Sequence, residues 1–305
     1  MTQPLDRRTL LALMGVAAAW PGSVLAQTGP APTTAPYIEA LEVYRQPARV
    51  RVSLPAGYDA SDRRYPVLYL LDGQWAFAGD ADGITLSADT RLAALARAGA
   101  IEPHIIVAID NMGDRRFVQY MPQRILEQGG PGVHVTVFRE LERVGATHLT
   151  SNLFVSWMQR LKETVDRSYR TRAGPEHNAI FGASMAAPMA AALFIDRPHL
   201  FGRCGCMSPN WAIYDARFID HAGLTQVWAD WFAELGPPAG RRLWLDHGTQ
   251  MMDAGMTPYQ FAIAGRLNAL GWQYGEHLRA EVYDAGHAFA QTAVQFDDMA
   301  AWLLR

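Results

Sequence analysis

Residues 178–187 read NAIFGASMAA, a short apolar run that meets Gly182, then a serine, then a train of alanines. NAIFG has the β-branched and aromatic content of a buried strand, while MAAPMAAALFI (185–195) carries its apolar residues at helical spacing. A strand that turns at once into a helix needs a residue without a side chain at the bend, and Gly182 stands two positions before Ser184. Such a bend lifts the Ser184 hydroxyl above the edge of a sheet at the start of a helix.

The same alternation runs through the chain on both sides of this stretch. Segments 50–54, 66–71, 104–109, 242–246 and 279–284 read as further strands, most of them apolar enough to be buried on both faces. Between them, 84–99, 153–169, 257–271 and 289–304 have the apolar spacing of amphipathic helices. Alternating strands and helices imply an α/β fold, a mostly parallel sheet covered by helices on both faces. Residues 124–150 break the pattern with Gly/Pro turns and weak periodicity, and read as an insertion over one end of the sheet, a lid, a substrate wall or a plain surface excursion.

The 305 residues are 50% hydrophobic, enough for one sizeable core, and a single domain is expected over 37–305. A formal charge of −3 without any Lys/Arg block excludes a nucleic-acid footprint. At the front, Arg7 and Arg8 precede the apolar run 10–20, and VLA at 24–26 offers small residues for a cut. This layout predicts an export signal of twin-arginine type over 1–26 and hence a periplasmic or secreted protein. The apolar run is shorter than the ~20 residues of a spanning helix, and no other segment would insert stably in a membrane. Residues 27–36, rich in Pro and Thr, read as a flexible linker. The two cysteines, Cys204 and Cys206, are spaced badly for a disulfide and read as small buried hydrophobes.

Ligands of an open parallel sheet bind beyond the carboxyl ends of its strands. Ser184 follows one such end; Asp246 and Asp253 follow another, in LDHGTQMMDAG; His287 follows a third, in DAGHAFA. The chain order serine, acid, histidine is that of α/β-hydrolases. A serine hydroxyl needs a base to take its proton as it attacks a carbonyl, and an imidazole with an unperturbed pKa near ~6.5 can do so. A carboxylate would fix the imidazole tautomer, and the N–H of Met185 at the helix start would face the developing oxyanion. Other readings stand beside these. Asp253 could cap the helix that follows, and His247, next to Asp246, is a rival base. His104 and His177 sit at strand beginnings, the wrong end for chemistry. Trp75 and Trp211 could line a substrate pocket or pack in the core, and Arg115 and Arg116 could face an anionic group or only solvent. No G-x-G-x-x-G follows the first strand and no His/Cys/Asp cluster has metal-ligand spacing, so neither cofactor nor metal is expected.

Five segments, 54–77, 106–122, 169–187, 196–211 and 243–254, resemble in this order the esterase family that contains enterochelin esterases, feruloyl esterases, S-formylglutathione hydrolase and mycobacterial mycolyltransferases. YPVLYLLDGQ, the serine elbow and FGRCGCMSPNW carry the resemblance most specifically. It implies an α/β-hydrolase fold, a second oxyanion donor at the N–H of Gln74, and Asp253 rather than Asp246 as the acid. The expected activity is ester hydrolysis through an acyl-enzyme on Ser184, with a small-molecule or glycan-linked ester as substrate. Acyl transfer from the same intermediate and a non-catalytic envelope binding protein are the alternatives. One departure is local: Ala186 and Ala187 stand where the family has glycines, and Pro188 follows.

Overall fold

In the computed structural model the described residues are 34–35, 49–78, 85–213 and 219–305. Eight strands among them are β1 (Thr34–Ala35), β2 (Val50–Ser53), β3 (Val67–Leu71), β4 (Ile105–Ile109), β5 (Asn178–Ala183), β6 (Arg203–Met207), β7 (Arg242–Gly248) and β8 (Leu278–Tyr283). They form one sheet in the order β1-β2-β4-β3-β5-β6-β7-β8. From β4 to β8 every pairing is parallel, and β2 and β1 add antiparallel at one edge. The described helices of five or more α-helical residues are α1 (Ala88–Arg97), α2 (Arg116–Tyr120), α3 (Gln123–Gln128), α4 (Gly130–Arg143), α5 (Ser151–Ser168), α6 (Ala186–Asp196), α7 (His221–Ala233), α8 (Thr257–Ala269) and α9 (Phe289–Leu303).

VLYLL and IIVAI are buried along their whole length because both faces of the sheet are covered. Successive residues alternate between two cores. Val67, Tyr69 and Leu71 pack with Ile105, Val107 and Ile109 and with the buried residues of α5 to α8. Leu68 and Leu70 point the other way, to Ile106, Ala108, Phe181, Leu92 of α1 and Phe296, Met299 and Leu303 of α9. Helix α6 is buried from Ala186 to Ile195, as expected of a helix apolar all round.

Four elements depart from the expectation drawn from the sequence. RCGCM forms β6 in the middle of the sheet, although Gly and Cys are weak strand formers; burial between β5 and β7 overrides propensity. HAGLTQVWADWFA is helix α7, whose Trp228, Trp231 and Phe232 pack into the core. The insertion 124–150 is mostly helical, contributing most of α3 and all of α4. β7 runs on through Gly248, so His247 belongs to a strand rather than to the loop after it. Cys204 and Cys206 are buried free thiols, their sulfurs 3.6 Å apart. The export signal expected over 1–26 lies outside the described residues, as does most of the linker expected over 27–36; of that linker, Thr34 and Ala35 pair with Ser53 and Val52.

Candidate active site

The elbow follows from a close approach. A β-carbon on Gly182 would overlap the carbonyl of Ala186, so the start of α6 can fold back on the end of β5 only over a glycine. Ser184 pays for the sharp turn with a left-handed backbone, φ 55°. Three backbone bonds hold it there: Ser184 N donates to Met207 O (3.0 Å), while Ser184 O accepts from Ala187 N (3.2 Å) and Asn210 N (3.1 Å). Ala186 and Ala187 find room for their methyl groups in the core, fully buried, and Pro188 falls in the first turn, where its missing N–H has no intrahelical partner to lose. Gly182→Val is expected to cost about 2 kcal/mol or more of stability, read from the urea midpoint, because backbone rather than a flexible side chain must move.

The other two groups come from the loops after β7 and β8, which are tied together. Thr249 N donates to Tyr283 O and Gln250 N to Ala285 O, and the side chains of Thr249 and Gln250 both donate to Asp284. This pairing delivers Asp253, in the 3₁₀ turn Met251–Met256, and His287 to one place. His287 Nδ1 lies 2.6 Å from Asp253 Oδ1, and His287 Nε2 lies 2.8 Å from Ser184 Oγ. Three side chains, two of them 103 positions apart in sequence, therefore form one hydrogen-bonded row.

Burial pushes the Asp253 carboxyl up, yet its pKa ends below the usual value, because the His287 hydrogen bond and charge, the Ser208 hydroxyl and the Gly248 N–H all favour the anion. Asp246 differs. Full burial raises it to about 7 against the opposing hydrogen bonds from Trp244 Nε1 (2.6 Å) and Ser208 N (2.9 Å), and its neighbours leave it no histidine. His247 faces the opposite core, its Nε2 2.8 Å from Thr257 Oγ1. His104 is buried at the far end of β4, where desolvation lowers its pKa to about 4. Among the described residues no group of three or more His, Cys, Asp or Glu is placed to hold a metal.

Backbone strain marks the same rim. Of the seven described non-glycine residues with positive φ, Asp72, Ser184, Ser208 and Met251 follow the carboxyl ends of β3, β5, β6 and β7. Strain of this kind persists where the surroundings over-determine it, and it gathers at functional sites.

Residues 42–303 match the family model named Esterase, described as "Putative esterase". The chain belongs to the esterase family. It is a carboxylic ester hydrolase, built on the α/β-hydrolase fold. Solved structures share that fold at low identity. A CE1 ferulic acid esterase from the anaerobic fungus Anaeromyces mucronatus superposes with a TM-score of 0.60 at 20% identity, covering 92% of each chain. An IroE-like serine hydrolase from Shewanella oneidensis gives 0.62 at 18%, over 90% of this chain and 80% of the other. The enterobactin esterase of Shigella flexneri gives 0.59 at 17%, over 94% of this chain and 62% of its longer partner. No curated protein matches the sequence.

In the esterase, Gln74 lies in the 3₁₀ turn Gly73–Trp75 that follows β3. Polar and charged side chains that sequence reasoning left undecided or passed over anchor this turn. Arg116 grips Asp72 with both arms, Nε to Oδ1 at 2.9 Å and Nη2 to Oδ2 at 2.6 Å, and also donates to Ala183 O at the serine elbow (3.3 Å). Asn111 Nδ2 donates to Asp72 Oδ1 (2.6 Å), Asn111 N to Gln74 Oε1 (3.0 Å), and the Arg51 guanidinium to Gly73 O. Arg116 thus joins the two turns that carry Gln74 and Ser184. The available signal was its position in a segment, 106–122, that resembles the family. Trp75 is half-buried in the turn itself, whereas Trp211 is core, fully buried against Trp228 and Phe232.

Proposed function

We propose that the chain hydrolyses esters through an acyl-enzyme on Ser184, with His287 as general base and acid, Asp253 as its carboxylate partner, and the N–H groups of Gln74 and Met185 as oxyanion donors. The observation that carries this reading is the unbroken row Ser184 Oγ, His287 Nε2, His287 Nδ1, Asp253 Oδ1, with gaps of 2.8 and 2.6 Å. As Ser184 Oγ bonds to the ester carbonyl carbon, its proton passes to His287 Nε2, and Asp253 stabilises the imidazolium. Gln74 stands in the 3₁₀ turn Gly73–Trp75 and Met185 is the N-cap of α6, positions whose N–H groups have no intrahelical acceptor. Collapse of the tetrahedral intermediate breaks the bond to the alcohol oxygen, which takes the proton from Nε2. Water then gives a proton to the same nitrogen, attacks the acyl carbon, and the acid leaves as Ser184 recovers its hydrogen.

The test is chemical labelling of the full chain with a fluorophosphonate, alongside turnover of a short-chain nitrophenyl ester. Labelling at Ser184 alone, with hydrolysis, is expected; folded protein that takes up no label defeats the reading. The natural substrate class is an ester of a small molecule or of a glycan. Export is part of the same proposal, supported by Arg7, Arg8 and the apolar run after them, and a Lys-Lys replacement should abolish it if the twin-arginine route is used.

Arg116 is proposed as a positioning residue for the Gln74 donor. Arg116→Ala should lower kcat roughly 10- to 100-fold with little change in KM, since a misplaced oxyanion donor is felt in the transition state. Millimolar guanidinium ion should restore part of the loss. A variant that only melts earlier, with kcat intact, would make Arg116 purely structural.

A further inference from the structure

On the far side of β3 from Ser184, the structure has an open cavity of about 170 Å³ lined by Met112, Arg115, Val118, Thr150 and the loop 145–148. Its position is fixed by bonds already described. Asn111, one residue before Met112, is tied to both Asp72 and Gln74, and Arg116, one residue after Arg115, clamps Asp72 and reaches Ala183 O. β4 neighbours β3 and β3 neighbours β5, so the segment after β4, which supplies Met112 and Arg115, and the elbow after β5, which carries Ser184, leave the sheet at the same carboxyl-end rim.

The chemistry of the lining is one-sided. Met112, Val118 and Ala146 give the lining its apolar part, Arg115 adds a guanidinium and His148 an imidazole. No Asp or Glu is among the lining residues, in a chain whose net charge is negative. Among the described residues Arg115 forms no ion pair; its one hydrogen bond is a long one, Nη2 to Val144 O at 3.4 Å. The neighbouring cations are committed, Arg116 to Asp72 and Arg143 to Glu140. His148 bonds Thr147 Oγ1 through Nδ1 (2.9 Å), leaving Nε2 for another partner. An apolar cavity of about 150 Å³ holds a benzene-sized body, so this one admits one ring or a short alkyl chain ending in an anion.

We propose that this cavity is a subsite for the anionic end of the substrate, and that the enzyme prefers esters whose acyl chain ends in a carboxylate. The inference rests on the acyl-enzyme reading above and adds the substrate class to it. The insertion 124–150 then has a role, because its last loop forms one wall of the cavity.

The experiment compares 4-nitrophenyl half-esters of adipate, suberate and sebacate with their methyl-capped diesters, using the full chain. Wild-type enzyme is expected to favour the carboxylates about fivefold to tenfold in kcat/KM, chiefly through KM and best at the chain length that spans the gap. Arg115→Gln should bring the ratio near one, Arg115→Lys should keep part of it, and Arg115→Glu should invert it, each judged by melting to be folded. A ratio at or below one for every chain length, or a ratio unmoved in Arg115→Gln, overturns the subsite. Fluorophosphonate separates the two failures: an enzyme labelled at Ser184 that shows no carboxylate preference loses only the subsite, whereas one neither labelled nor active loses both.

Discussion

Ser184→Ala and His287→Ala are each expected to lower kcat for a nitrophenyl ester by about 10⁴-fold or more, with KM changed far less. The size of the loss follows from the arrangement. In the proposed acyl-enzyme route Ser184 supplies the atom that bonds to the acyl carbon, and its proton passes to His287 Nε2, the partner 2.8 Å from Oγ. The two act as a unit, so the double variant should be no slower than the worse of the singles; the residual rate would come from substrate binding and the oxyanion donors. Active-site titration with the fluorophosphonate guards the measurement, because a trace of wild-type enzyme would mask a loss of this size. Losses below about tenfold in either variant would show that the bonded row is not the catalytic machinery.

Much of this site was legible because it depends on features that sequence periodicity reports. Long apolar runs such as VLYLL and IIVAI identify parallel strands, and strand ends identify where Ser184, Asp253 and His287 must emerge. β6 escaped this reading because RCGCM lacks β-branched residues, and its strand state comes from its neighbours on both sides. Helix α7 escaped because its apolar residues do not stand out as a stripe. Arg116 and Ser208 escaped for a different reason. Their roles are relations between segments distant in sequence, Arg116 with Asp72 and Ala183, Ser208 with Asp246 and Asp253, and no local pattern encodes such a meeting. Of the adjacent arginines 115 and 116, one is locked into an ion pair and the other opens on a cavity, a distinction only the folded chain makes.

The two acids after β7 should separate cleanly. Asp253→Asn is expected to lower kcat by about 10³- to 10⁴-fold, because an amide cannot hold the imidazole with its proton on Nδ1, and Nε2 then cannot receive the serine proton. Asp246→Asn should cost nearer tenfold, since the Asp246 oxygens are bonded by Trp244 Nε1 and Ser208 N, and Ser208 in turn donates its hydroxyl to Asp253. Stability should separate them too, with slopes of opposite sign against pH. The native pKa of Asp253 is depressed, so its contribution is full above the unfolded value of about 3.9 and disappears as pH falls through the native one. Asp246 is raised to about 7, so its contribution is full below the unfolded value and is lost as pH rises toward 7. In urea titrations, wild type should therefore lose ground to Asp246→Asn between about pH 4 and pH 7, and lose ground to Asp253→Asn only below about pH 4. Equal kinetic losses in the two variants would return Asp246 to contention. Geometry argues against that outcome: a carboxyl that burial pushes up and whose oxygens are taken by Trp244 and Ser208 is poorly suited to stabilise an imidazolium, whereas the bonds to Asp253 favour its anion and one of its oxygens is already on His287.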